Sequence, residues 1–274
     1  MVRKIGILIG LFFTLGALWS FIQGTASYIT DPPAPLAAQV FHKQPEHLSL
    51  ASDGPFGKFD FQQLQRGFQV YNEVCKACHS LQHVAFRNLE EIGYNEAEVK
   101  AIAASYQIPH YDPKTGEVTT EPGKPTDHFP PVAYAGNGHP PDLSLITKAR
   151  AGGASYVHAL LTGFQDPPAA LKKRFPDAVG LPGLYYNPYF ASLNIAMPPP
   201  LTTDGQVTYA DGTPATVNQM ATDVAAFLVW TAEPTLEKRR QVGWPVLGFL
   251  LFATVLAYMA YRNVWADKKP KKKG

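Results

Sequence analysis

Hydrophobic and polar positions fall into three regimes along this chain. An unbroken apolar run lies near each end. Between them, apolar residues recur at helical spacing, separated by long polar stretches rich in proline and glycine. The first run, Ile5 to Ile22, follows Arg3 and Lys4 and is succeeded by the small residues Gly24 and Ala26. It reads either as a secretory signal cleaved near residue 26 or, being long for such a signal, as a retained membrane anchor. The second run, Val242 to Tyr261, contains no charged residue. As a helix it would rise about 30 Å, the thickness of the hydrocarbon core. Trp244, Tyr258, Tyr261 and Trp265 sit near its ends, as interfacial aromatics do, and Pro245 is expected in the first turn.

The intervening body shows no internal repeat. Leu64, Phe68, Tyr71, Cys75 and Cys78 recur at spacings of four and three, which predicts a helix from about Phe61 with one apolar face. Leu89 to Tyr106 reads as a further helical stretch, and 109–141 as an extended excursion with little regular structure. Tyr156 to Leu161 predicts a short helix ended by Gly163. Pro182 to Pro200 reads as loop, with Tyr185, Tyr186, Tyr189 and Phe190 available to pack on a flat ligand. Val217, Met220, Val224, Phe227, Leu228 and Trp230 form the last amphipathic face. Thr216 is its N-cap and Pro234 marks its end. The fold class is therefore mostly α with long irregular loops plus one C-terminal transmembrane helix, and a second, N-terminal one if the first run is retained. The organisation expected is 1–26 signal or anchor, 27–240 exported domain, 241–265 transmembrane helix and 266–274 basic tail.

Charge gives the orientation. Arg262, Lys268, Lys269, Lys271, Lys272 and Lys273 follow the second run, against Lys238, Arg239 and Arg240 before it. The heavier basic flank is expected in the cytoplasm, which places the body on the far side of a bacterial inner membrane, in the periplasm. The chain as a whole carries +2, but residues 27–240 hold 16 basic and 21 acidic residues, a net −5. An acidic exported domain suits a basic soluble partner through electrostatic steering, or serves solubility alone; no nucleic-acid partner is expected.

The chemistry concentrates in Cys75-Lys76-Ala77-Cys78-His79, which holds both cysteines of the chain. This is the C-x-x-C-H pattern of covalent c-type haem attachment: two thiols for the vinyl groups and an imidazole for the iron. A structural zinc site would need a second ligand pair, a redox dithiol a βαβ setting, and a disulfide would leave His79 unexplained. The second axial ligand of a c-type haem is usually Met or His. Met220 falls at core spacing, while Met197 precedes Pro198-Pro199-Pro200, a stiff backbone able to hold a thioether. His42, His47, His110, His128, His139 and His158 compete without comparable local rigidity, and His83 reads as a surface residue. Iron with both axial positions filled carries electrons rather than activating a substrate.

Several segments together resemble the cytochrome c1 family of the quinol–cytochrome c reductase (bc1) complex. They are Leu64 to Tyr71 followed by Val74 to Ser80, Pro140-Pro141-Asp142-Leu143-Ser144, Ala149-Arg150-Ala151-Gly152-Gly153, Gly183 to Phe190, Asp211 to Thr216, and Ala232-Glu233-Pro234. The resemblance runs in one order from about Phe56 to the C-terminal span. It implies one covalent haem c on Cys75 and Cys78, ligated by His79 and Met197. It further implies Arg150 near a haem propionate, with Tyr156, Asn137 and Pro141 lining the pocket. A fixed guanidinium is chemically suited to that carboxylate. Glu96 and Glu98 match an acidic docking stretch for a soluble cytochrome c. The implied partners are cytochrome b, a Rieske iron–sulfur protein as donor, a cytochrome c as acceptor and membrane lipid, in a dimeric complex. No catalytic residue is implied beyond redox. The rival readings are an anchored c-type subunit of a terminal oxidase or nitric oxide reductase, a haem peroxidase, and a thiol or zinc module.

Overall fold

A computed structural model describes residues 2–32, 34–111, 113–136, 138–266 and 268. The first helix, α1 (Val2–Thr30), buries no residue and continues unbroken through Gly24 and Ala26. Helix α2 (Ala37–Phe41) then turns its apolar side onto the body, where Phe41 meets Phe175 edge to face at 6.1 Å. Asp60 caps α3 (Phe61–Val70), its Oδ1 accepting from the amides of Gln62 and Gln63. The expected helix then changes pitch. A π-turn over Tyr71–Cys75 carries the chain into the cysteine motif, so the two thiols do not share a regular α-helical face.

The single helix expected from Leu89 to Tyr106 is two elements. A 3₁₀ turn, Phe86–Ile92, ends at Gly93 in the left-handed region (φ 99°). Asn95 then starts α4 (Glu96–Ala104), its side chain accepting from the amide of Glu98 while Glu98 returns the bond. The capping box outcompetes continuity of the helical pattern. The 109–141 excursion is partly regular: β1 (Gln107–Tyr111) pairs antiparallel with β2 (Val118–Pro122) in an exposed hairpin. After it come α5 (Ile146–Ala149), α6 (Gly153–Thr162) and α7 (Ala169–Arg174). Helix α6 begins three residues before the expected Tyr156 because Gly152 (φ 86°) and Gly153 (φ 52°) make the turn into it. The loop 182–200 contains the short pair β3 (Tyr185–Tyr186) and β4 (Asn194–Ile195).

Helix α8 (Val217–Ala232) has the expected cap, Thr216 Oγ1 accepting from the amide of Gln219. It crosses α3 at closest approach where Gly67 lies; a Cβ there would stand 2.1 Å from the carbonyl oxygen of Asp223. Around this crossing Phe68, Tyr71, Phe86, Phe129, Phe227 and Trp230 form the aromatic core. Arg66 and the fully buried Asp223 pair across it at 2.9 Å, and Gln63 and Gln219 also donate to Asp223.

The last helix, α9 (Leu236–Trp265), starts before the expected transmembrane helix, at Leu236 instead of residue 241. At 30 residues it is about 45 Å long. Pro245 consequently sits inside the helix rather than in its first turn. Its ring costs one backbone bond, a defect that membrane helices accommodate. The base of α9 is tied to the body. Leu236 is buried, Glu237 accepts from the amide of Phe59, Arg240 donates to the carbonyls of Ser52 and Gly57, and Trp244 stacks on Phe56. About half of the chain is thus helical, with few strands and long loops, and α1 and α9 are both long and apolar enough to cross a membrane.

Candidate haem site

One cavity of about 610 Å³ opens between the cysteine motif, the 134–150 segment, α6, the Met197 loop and α8. That volume lies in the range of small-molecule and cofactor sites. Cys75, Cys78, His79, Pro141, Arg150, Tyr156 and Met197 all line it. Asn137 lies outside the described residues. Glu96 and Glu98 are exposed on the first turn of α4, away from the cavity. Among the described residues no cluster of three or more His, Cys, Asp or Glu side chains could hold a bare metal ion.

The motif is held in place by its neighbours. The amide of His79 donates to the carbonyl of Cys75 (2.9 Å), and Tyr71 Oη donates to the carbonyl of His79 (3.0 Å). Asp142 then clamps the opposite strand of chain. One of its carboxylate oxygens accepts from the amide of Gln82 and the other from that of Ser144, while Ser144 Oγ accepts from the amide of His83. This clamp brings the carbonyl of Pro141 to 2.8 Å from His79 Nδ1. A carbonyl can only accept, so Nδ1 carries the proton and Nε2 is left bare as a donor to a metal. Burial holds the imidazole below its ordinary 6.5, against the raising influence of the Pro141 carbonyl and Asp142. A neutral imidazole is the ligating form.

Burial, helped by neighbouring Cys78, pushes the Cys75 thiol up to about 12. The nucleophilic thiol of a redox-active dithiol is tuned in the opposite direction. The walls are apolar: Val74, Leu143, Ile146, Val157, Leu160, Val224 and Leu228. Arg150 lies exposed at the rim, one guanidinium nitrogen donating to the carbonyl of Ala149. Burial raises the Tyr156 phenol, and Arg150 beside it partly offsets this. The rim therefore offers a cation with spare donors above an apolar slot, which fits a group with an apolar face and anionic edges.

Of the aromatics expected to pack on the ligand, only Phe190 lines the cavity. Tyr186 is buried against Leu171 and Leu193, Tyr185 lines a neighbouring cleft, and Tyr189 packs over Gly163. The period-free loop gave no basis for sorting them. His139 is the one rival histidine lining the cavity among the described residues, exposed beside Pro140. His42 instead meets the carbonyl of Tyr189, His158 meets Asn218 Oδ1, and His83 is exposed. Met220 is fully buried in the core, as its spacing predicts.

A sequence model of the Cytochrome C1 family matches residues 50–268, which include every described residue lining the cavity and the whole of α9. Cytochrome c1 of Rhodospirillum rubrum is 42% identical over 233 residues, covering 79% of this chain and 85% of that protein. The mitochondrial cytochrome c1 1 heme protein of Arabidopsis thaliana is 43% identical over 267 residues, covering 94% of this chain and 83% of that protein. Cytochrome b/c1 of Bradyrhizobium diazoefficiens is 45% identical over 244 residues, 78% of this chain; the chain spans only about a third (34%) of that longer protein. On these matches, which cover most of its length, the chain belongs to the cytochrome c1 family.

Proposed function

We propose that this chain is the membrane-anchored electron-transfer subunit of a bc1 complex, taking one electron from a Rieske iron–sulfur protein and passing it to a cytochrome c. The supporting observation is the convergence of Cys75, Cys78, His79 and Met197 on one apolar cavity. Cys75 and Cys78 attach the haem covalently. His79 offers Nε2 to the iron, its other nitrogen fixed by Pro141. Met197 would supply the second ligand and Arg150 and Tyr156 would bind the propionate edge, with Pro141 lining the same cavity. Bound there, the haem supplies one-electron redox chemistry, and the chain excludes water from the iron and sets its potential through the thioether.

The chain performs no catalytic step beyond redox. Quinol oxidation belongs to cytochrome b, and a relative whose name joins b to c1 supports that partnership. The haem domain lies in the periplasm of a bacterial inner membrane with the basic tail in the cytoplasm, within a dimeric complex of a respiratory or photosynthetic chain. The acidic body, with Glu96 and Glu98 on its surface, steers a basic cytochrome c.

The test is a reduced-minus-oxidised spectrum of protein purified from its native membrane through a tag on this chain. A c-type band accompanied by b-type bands is expected. A c-type band alone, after gentle extraction, overturns the assignment to a bc1 complex, and absence of a c-type band overturns the haem assignment.

A further inference from the structure

The Met197 segment has little regular structure of its own, yet both of its ends are pinned by side chains that the motif does not contain. On the upstream side, Asn187 is fully buried and uses all of its polar groups. Its amide donates to the carbonyl of Leu193 (2.8 Å) and its carbonyl accepts from Phe190 (3.1 Å). Its Oδ1 accepts from the amide of Tyr189 (3.1 Å), an Asx turn, and its Nδ2 donates to the carbonyl of Leu160 (2.8 Å). Leu160 is a wall residue of the cavity, on α6. The loop so closed contains Leu193, fully buried at φ 66° and the only described non-glycine residue in the left-handed region. A conformation of that kind persists only where its surroundings over-determine it. Directly after it, β4 pairs with β3 and delivers Ala196 and Met197 to the cavity.

On the downstream side, the exposed Gln206 reaches back across the prolines. Its Nε2 donates to the carbonyl of Pro200 (2.8 Å) and its Oε1 accepts from the amide of Thr202 (3.0 Å). Pro198, Pro199 and Pro200 lack amide hydrogens, so this stretch cannot fix itself by backbone bonding and depends on such external partners.

We infer that Asn187 and Gln206 are positioning residues that hold the Met197 thioether at the haem iron, Asn187 by tying the ligand loop to α6 and Gln206 by closing its far end. The inference rests on Met197 being the ligand. Asn187→Asp keeps the Asx acceptor but removes the donor to Leu160, whereas Gln206→Ala changes only an exposed side chain and leaves the core intact.

The experiment compares Asn187→Asp, Gln206→Ala and Met197→Leu in the purified complex. It follows the iron–thioether charge-transfer band of the oxidised protein, carbon monoxide binding to the reduced c-type haem, and the haem midpoint potential. Met197→Leu is expected to abolish the band, open the iron to carbon monoxide and lower the potential. Asn187→Asp and Gln206→Ala are expected to lose the band in part, to bind carbon monoxide in the same proportion, and to keep the haem covalently attached. A structural role alone would lower thermal stability without moving the band. If Met197→Leu changes the band and Gln206→Ala and Asn187→Asp both leave it at wild-type strength with no carbon monoxide binding, the positioning role is overturned. Should Asn187→Asp fail to accumulate, Gln206→Ala decides alone. An unchanged band in Met197→Leu overturns the ligand reading itself, and this inference with it.

Discussion

At the residue scale, the cavity draws its chemistry from two short stretches of the chain. Cys75, Cys78 and His79 carry their chemistry within five positions, and Met197 is marked by the prolines beside it. The bonds of Asn187 to the carbonyl of Leu160 and of Gln206 to that of Pro200 were not legible, because they are made in loops that carry no periodicity. Gly67 is a further case: within the helical pattern it looks like a weakness, yet it is where α3 and α8 touch. Met197→Leu conserves volume, so the fold and the thioether links should survive while the haem potential falls sharply; redox titration of the membrane-purified protein checks it, and an unchanged potential removes Met197 as ligand. Gly67→Ala puts a methyl 2.1 Å from the Asp223 carbonyl and 2.6 Å from Phe227 Cβ, one backbone and one core atom that cannot simply move aside. The expected loss is at the upper end of overpacking, about 3 kcal/mol. Thermal unfolding followed by circular dichroism would show it, and a midpoint equal to wild type would mean the helices separate at little cost.

At the element scale, helix existence followed from hydrophobic period and helix ends followed from capping. Thr216 was readable as a cap. The break at Gly93–Asn95 is signalled by Gly93 and the Asn95–Glu98 capping pair, against an apolar spacing that continues across it. Polar groups also fix how elements meet. The Asp223 carboxylate is wholly buried on α8 and is matched by Arg66, Gln63 and Gln219, while Asp211 takes another guanidinium nitrogen of Arg66 at 2.7 Å. Arg66→Ala would leave that carboxylate with two amide donors and no countercharge, a loss of about 3 kcal/mol, near the lower end for a broken buried pair. Replacing both members, as Arg66→Met with Asp223→Leu, should recover most of it, because desolvation is then relieved together with the pairing. Urea unfolding of the two variants checks this, and equal losses in both would show that the polar network contributes more than its charges.

A second element junction carries a pH dependence. Glu233, just before α9, bonds both Lys148 in α5 and Arg239 in α9. Burial would raise its carboxyl, but these two cations hold it below its ordinary 4.5. A depressed folded value means the contribution is present above 4.5 and is lost as pH falls through the folded value beneath it. The docking of α9 should therefore loosen only in acid, below about pH 4.5, and Glu233→Gln should flatten that part of the stability profile. Limited proteolysis near 52–60 as a function of pH reads it, since Arg240 and Glu237 bind that segment. An identical acid profile in Glu233→Gln would assign the loosening to another carboxylate.

At the scale of the whole molecule, the haem domain and its anchor act as one piece. The four ties at the base of α9 leave no free linker between cavity and membrane, so the haem site is held at a fixed height over the bilayer surface instead of wandering on a tether. The same ties sharpen the charge argument for orientation. Of the three basic residues before the apolar part of α9, Arg239 and Arg240 are engaged with the body, while the tail after Trp265 carries five lysines beyond the helix. Basic residues close to a span favour the cytoplasmic side. The body should then be outside and the tail inside. Single cysteines at Thr119, exposed on β2, and at Ala266, at the end of α9, should respond differently to a membrane-impermeant maleimide on intact cells. Thr119→Cys should label at once, and Ala266→Cys only after the membrane is permeabilised, with Cys75 and Cys78 protected in both by their thioether bonds. Labelling of Ala266→Cys in intact cells would invert the topology, and would place the haem in a compartment where neither its attachment nor its acceptor is expected.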